Sequence, residues 1–137
     1  MKWVTIAVPA TVKREQIELM VDPAGWNITA ASAEALKEKA NQLLSAPHAK
    51  KFSLLDTDRV FFDLLVAIRN YLSHRSAGAL GILRGRLLDL QRSDPSSVLN
   101  GNMTTIGSYL KTKPHGGSDD RAKLIGRAVI TLSSKMV

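Results

Sequence analysis

An all-α fold, a small up-and-down bundle of four to five helices, is predicted by three features of this sequence. Leucines recur at three- and four-residue steps, these stretches open on Ser, Asp or Thr, and they close on Asp-Pro or on segments rich in Gly, Ser and Asn. Within residues 30–45, Leu36, Ala40, Leu43 and Leu44 keep helical spacing while Lys37, Glu38, Asn41 and Gln42 fall on the other arc, with Asn27 or Thr29 placed as an N-cap. Pro47 and the Lys50-Lys51 pair make a polar connection. Asp56-Thr57-Asp58 then supplies a cap and first-turn acids, so a second helix starts near Asp56 and runs to about His74, where His74 and Arg75 suit the negative end of the dipole. From Ser76, Leu80, Leu83, Leu87 and Leu90 define a third helix that Asp94-Pro95 stops. Gly78, Gly81 and Gly85 lie inside it, and each weakens a helix by roughly 1 kcal/mol relative to alanine. Close approach of a neighbouring backbone is the expected compensation. Residues 96–117 are rich in Ser, Asn, Gly and Thr, with at most a short helical piece around 103–110 and an exposed loop at 111–117. Ser118-Asp119-Asp120 caps a last helix with Leu124, Ile125, Val129 and Leu132 as its apolar set. The first 26 residues leave two options open: Val4 to Val8 as a strand, or Thr11 to Val21 as a helix closed by Asp22-Pro23.

At 137 residues the chain has the length of one domain, 1–137, able to bury roughly two-thirds of the surface it exposes when unfolded. It contains no cysteine, which removes disulfides, thiolate nucleophiles and cysteine-ligated metals. The basic-then-apolar start at Met1 to Val8 is cut by Pro9 and by Lys13-Arg14-Glu15, so it reads as mature protein rather than a signal peptide, and the expected location is cytoplasmic. No apolar run reaches the roughly 18 residues that a bilayer span requires, so no membrane partner is expected. Nineteen Lys and Arg against 12 acidic residues give a formal charge of +7, which favours a polyanion such as RNA. Aromatic residues make up only 5 %, which disfavours a binder built on base stacking.

The candidate site is the hexamer Arg69-Asn70-Tyr71-Leu72-Ser73-His74, which sets a guanidinium, a carboxamide and an imidazole at the end of the apolar run Val60 to Ile68. At roughly 100° per residue, Val60, Phe61, Leu64, Leu65, Ile68, Tyr71 and Leu72 form the core arc, and Arg69, Asn70, Ser73 and His74 the opposite one. That second arc also carries Phe62 and Val66 upstream, so it is expected to be covered by a second copy in a two-fold homodimer. RNA cleavage needs a base for the 2′-hydroxyl, an acid for the leaving 5′-oxygen and positive charge at the phosphorane. A histidine can serve as base or acid, which suits His74 to either proton transfer, and the planar fork of Arg69 matches two phosphate oxygens. Ser73, Arg75 and Arg84 are candidate substrate contacts, with Arg86 and Arg92 as further members of an RNA groove. The scheme demands no metal or cofactor, and His48, His74 and His115 lack the spacing of a metal cluster. The three glycines match neither a P-loop nor a dinucleotide fingerprint.

Arg69-Asn70-x-x-x-His74, at the end of a hydrophobic helix in a basic all-helical chain, resembles the signature of the HEPN superfamily. Its hallmark is an arginine and a histidine with four to six residues between them, four here, and a polar residue, often asparagine, directly after the arginine. The resemblance implies a helical bundle that dimerises through the motif helices. In active members it implies a metal-independent endoribonuclease that leaves a 2′,3′-cyclic phosphate, often a toxin or an antiviral defence factor, with an antitoxin or regulatory protein as a possible partner. Catalytically silent members would serve as RNA- or protein-binding modules. One departure concerns the toxins paired with nucleotidyltransferase antitoxins, which have a tyrosine two residues after the histidine; here that position is Ser76.

Overall fold

The computed structural model describes residues 13, 15 and 30–137. The strand-or-helix alternative for Val4 to Val21 and the proposed caps Asn27 and Thr29 lie outside that description. The chain divides into two compact units, Met1–Ala30 and Ala31–Val137. The second is all-α: six helices and a single 3₁₀ turn, with no strand among the described residues.

The first helix, α1 (Ala33–Leu43), is capped by Ser32, whose Oγ accepts from the Ala35 N–H at 3.1 Å. A second orphan donor, the Ala33 N–H, is taken by Asp63 Oδ1 at 2.8 Å, thirty residues along the chain. The polar connection that follows is partly wound, into α2 (Ala46–Ala49) and a 3₁₀ turn at Lys50–Phe52, with Pro47 in the first turn, where its missing N–H costs nothing. Helix α3 (Asp56–His74) keeps the expected bounds. Its N-cap is Leu55 rather than an aspartate, without a side-chain bond, and Asp56 and Asp58 act as first-turn charges. A two-residue turn leads to α4 (Ala77–Ser93), capped by Ser76 Oγ, which accepts from the Ala79 N–H. The ion pair of Asp63 with Arg86, at 3.9 Å, ties the middles of α3 and α4 together and shows the two running back along each other as a hairpin. After a twelve-residue connection comes α5 (Ile106–Lys111), and then α6 (Arg121–Lys135), capped by Asp120 Oδ1 on the Lys123 N–H.

The core joins Phe61, Leu64, Ala67 and Ile68 of α3 to Leu83 and Leu90 of α4, Leu99 of the connection and Leu132 of α6. Leu64 and Leu83 are completely buried, which makes the α3–α4 seam its centre. Leu72, expected on the core arc, is instead 43 % exposed. Val129 of the expected α6 set is exposed as well, while Leu124 and Ile125 pack on the core.

No close backbone compensates the glycines of α4. An added Cβ at Gly78, Gly81 or Gly85 would meet nothing within 4 Å among the described residues. Gly81→Ala and Gly85→Ala, both inside the helix, are therefore expected to raise stability by up to about 1 kcal/mol each, measured as a shift of the urea midpoint at constant m.

Candidate functional site

Arg69, Asn70, Ser73 and His74 are all exposed on the last turn and a half of α3: Arg69, Asn70 and Ser73 face away from the arc that carries Leu64 and Ile68 into the core, while His74 lies within about 20° of Ala67 in helical phase and is exposed two turns beyond it, at the helix end. The helix is held rigidly by its buried half, so the exposed half presents these four groups from a fixed backbone. Among the described residues none of the four has a hydrogen bond or an ion pair, in contrast to Asp58, Asp63 and Arg86 on the same hairpin. Asn70 and His74 stand one turn apart and so are neighbours, as are Arg69 and Ser73. Arg69 and His74 themselves diverge by about 140° around the axis. Upstream on that arc, Phe62 and Val66 are half-buried within the single chain, and Phe62 packs against the core of its own unit.

Arg75 follows directly, and it is the single non-glycine residue with positive φ among those described, at φ 47° and ψ 27°. Its N–H donates to the Tyr71 carbonyl at 2.8 Å and ends α3 in a left-handed cap, a position where glycine is the usual occupant. An arginine there costs roughly 1–2 kcal/mol, strain of the kind that gathers at functional sites. Ser76, at the position where the resemblance would put a tyrosine in one toxin subgroup, has a local task as the cap of α4.

The arginines expected to line one RNA groove are divided between two clefts on opposite flanks of α4. Arg86 and Arg92 line the larger, about 620 Å³, with Arg59, Asp63, Asp89 and Glu34. There Arg86 lies 3.3 Å from Asp89 and 3.9 Å from Asp63, so three carboxylates balance three guanidinium groups and leave no anion-attracting surplus. Arg84 lines the other cleft, about 280 Å³, together with Leu87, Leu88, Gln91 and residues 100–103. None of the hexamer residues borders either cleft.

A buried cluster escaped the sequence reading. Arg121, at the first position of α6, is 8 % exposed, and no carboxylate among the described residues pairs with it. Its Nη2 donates to the Asn100 carbonyl at 2.9 Å and its Nη1 to the Tyr109 carbonyl at 3.5 Å, and the guanidinium lies 5.0 Å from the centre of the Tyr109 ring. Tyr109 in turn donates its hydroxyl to the Leu99 carbonyl. Burial pushes the Tyr109 phenol above its usual range, with the Arg121 charge pulling the other way. The cluster ties the connection before α5 to the start of α6.

Among the described residues no group of His, Asp and Glu could hold a metal ion, and no helix is long and apolar enough to cross a membrane. No family model, curated protein or solved structure matches the chain.

Proposed function

We propose that the chain is a metal-independent endoribonuclease of the HEPN type, acting as a homodimer. The observation that carries this reading is the exposure, at the end of a core helix, of Arg69, Asn70, Ser73 and His74 with no intramolecular partner among the described residues. The divergence of Arg69 and His74 supports a composite site, since one helix addresses a single phosphate poorly with both. Two motif helices crossing at a two-fold axis would supply two imidazoles and two guanidinium groups. In the reaction the 2′-oxygen attacks phosphorus while its proton passes to one His74. The P–O5′ bond breaks as the 5′-oxygen takes a proton from the His74 of the second copy, which leaves a 2′,3′-cyclic phosphate and a 5′-hydroxyl. Arg69 holds the non-bridging oxygens as charge grows on them, and Asn70 orients the phosphate or the imidazole. Such an enzyme would act as a toxin or in phage defence, with a regulatory protein as partner and the cytoplasm as its place of action.

The second reading is a silent HEPN-like module that binds RNA or a protein through the same helix end. It draws on the exposed His74, which has no carboxylate or carbonyl among the described residues to fix its tautomer. Labelled RNA incubated with the purified full chain in EDTA separates the two. Fragments ending in cyclic phosphate support the enzyme, binding without cleavage supports the module, and the absence of both cleavage and binding would sink both RNA readings. Light scattering tests the dimer, and a strict monomer at micromolar concentration overturns the composite site.

Arg75 provides an independent check. Arg75→Gly is expected to raise stability by about 1 kcal/mol through relief of the left-handed backbone. The same change lowers RNA affinity if the strained arginine contacts phosphate. A gain in stability with unchanged affinity removes Arg75 from the binding surface.

A further inference from the structure

The smaller cleft, on the α4 flank that faces the connection before α5, differs from the larger one in holding no carboxylate. Its polar rim is the guanidinium of Arg84 with the carboxamides of Gln91 and Asn102, and its apolar floor is Leu87, half-exposed Leu88 and Met103. Arg84, Gln91 and Asn102 are exposed and make no hydrogen bond or ion pair among the described residues, so their donors and acceptors are available to a ligand. The wall opposite α4 belongs to the twelve-residue connection, which has no helix or strand. That wall is held firmly. Asn100 donates its side-chain amide to the carbonyls of Asp94 at 2.8 Å and Pro95 at 3.0 Å, while its own carbonyl accepts from buried Arg121. A rigid loop presenting the unpaired Asn102 amide loses little entropy when it captures a ligand.

We propose that this cleft is a base-reading subsite that takes an unpaired guanine of single-stranded RNA. The proposal rests on the RNA reading above and adds a specificity to it. The volume, about 280 Å³, lies just under the range of whole-ligand pockets, roughly 300–1,000 Å³, and suits one planar base better than a complete nucleotide. With few aromatic residues in the chain, the aliphatic floor takes the base face that a stacking ring would otherwise cover. Guanine is the base whose edge fits the rim. Its adjacent O6 and N7 acceptors match the fork of an arginine, and its N1–H and N2–H₂ donors match carboxamide oxygens. A net charge of +7 and the absence of any acid from the rim favour an anionic polymer over an acid-rimmed peptide groove.

The test uses the full chain carrying His74→Ala, so that cleavage cannot consume the probe, and five-nucleotide RNAs that are all uridine except for a central G, A, C or U, followed by fluorescence anisotropy. The central-G oligomer is expected to bind at least tenfold more tightly than the all-uridine one. Gln91→Ala and Asn102→Ala should each bring it down to the all-uridine level without weakening the all-uridine oligomer. Equal affinity for all four, or a guanine preference that both variants retain, overturns the subsite. Guanine preference in a chain whose wild type never cleaves RNA upholds the subsite and overturns the nuclease. Cleavage with no base preference does the reverse, and failure to bind any oligomer overturns both.

Discussion

His74→Ala is expected to lower metal-independent RNA cleavage by about 10²- to 10⁴-fold, the usual worth of a positioned proton-transfer group. Arg69→Ala should cost about 10²- to 10³-fold, as does loss of one preorganised donor to a developing oxyanion. Both side chains are exposed and without partners among the described residues, so neither change should move the unfolding free energy by more than about 0.5 kcal/mol. That separation matters, because a loss of activity that tracks a loss of folded protein says nothing about chemistry. Arg69→Lys keeps the charge but not the fork, and should fall between wild type and alanine. Mixing wild type with His74→Ala makes the sharper test of the composite site. A heterodimer of the two keeps one of the two imidazoles that the reaction uses, and should be nearly as inactive as the His74→Ala homodimer. Half of the wild-type activity in the heterodimer, with exchange of subunits verified, would count against a site shared between copies.

The helices that position this motif were legible because their signals are local. Acids at residues 56 and 58, the leucine ladder from Leu80 to Leu90, the Asp94-Pro95 stop and the aspartates before α6 each act within one turn, and the observed bounds of α3, α4 and α6 follow them closely. Exposure of Arg69 and Asn70 was legible for the same reason, since helical phase turns both away once Leu64 and Ile68 are assigned to the core, while His74 owes its exposure to the helix end. What sequence pattern could not supply was tertiary. Asp63 receives the first N–H of α1 and the charge of Arg86, both far from it along the chain. The α4 glycines suggested a close neighbour, while the space beside them is open among the described residues. The row of arginines suggested one groove, but residues 84 and 86 lie about 200° apart around a helix and so address different flanks. Arg121 was the least visible, because an arginine at the start of a helix is ordinarily solvated. Its burial is decided by two carbonyls at Asn100 and Tyr109, whose positions depend on how the connection folds back.

Gly101→Ala should be the most disruptive small change in that connection. A Cβ at this position would lie 2.5 Å from Arg121 Nη2 and 2.9 Å from its Cζ, closer than real contacts allow. The far end of an exposed arginine would simply swing aside. Here the guanidinium is buried, bonded to the carbonyls of Asn100 and Tyr109 and packed on the Tyr109 ring, so moving it breaks all three contacts. A cost of about 1–3 kcal/mol is expected, as for other overpacked interiors. Arg121→Ala should cost about 1–3 kcal/mol for each carbonyl left buried without a donor. The two effects share one cause and cannot add. Once the guanidinium is gone the added methyl has room, so Gly101→Ala in the Arg121→Ala background should be nearly neutral, with a coupling above about 1 kcal/mol in a double-mutant cycle of urea unfolding. Additive costs would mean that the clash is relieved by the loop and that Arg121 does not hold it. The same cycle bears on specificity, because Asn100 and Gly101 form a wall of the Arg84 cleft. If the buried arginine fixes that wall, Gly101→Ala should reduce the preference for a central guanine while leaving the all-uridine affinity unchanged, since the residue touches the shape of the cleft and none of the charges that draw RNA to the surface.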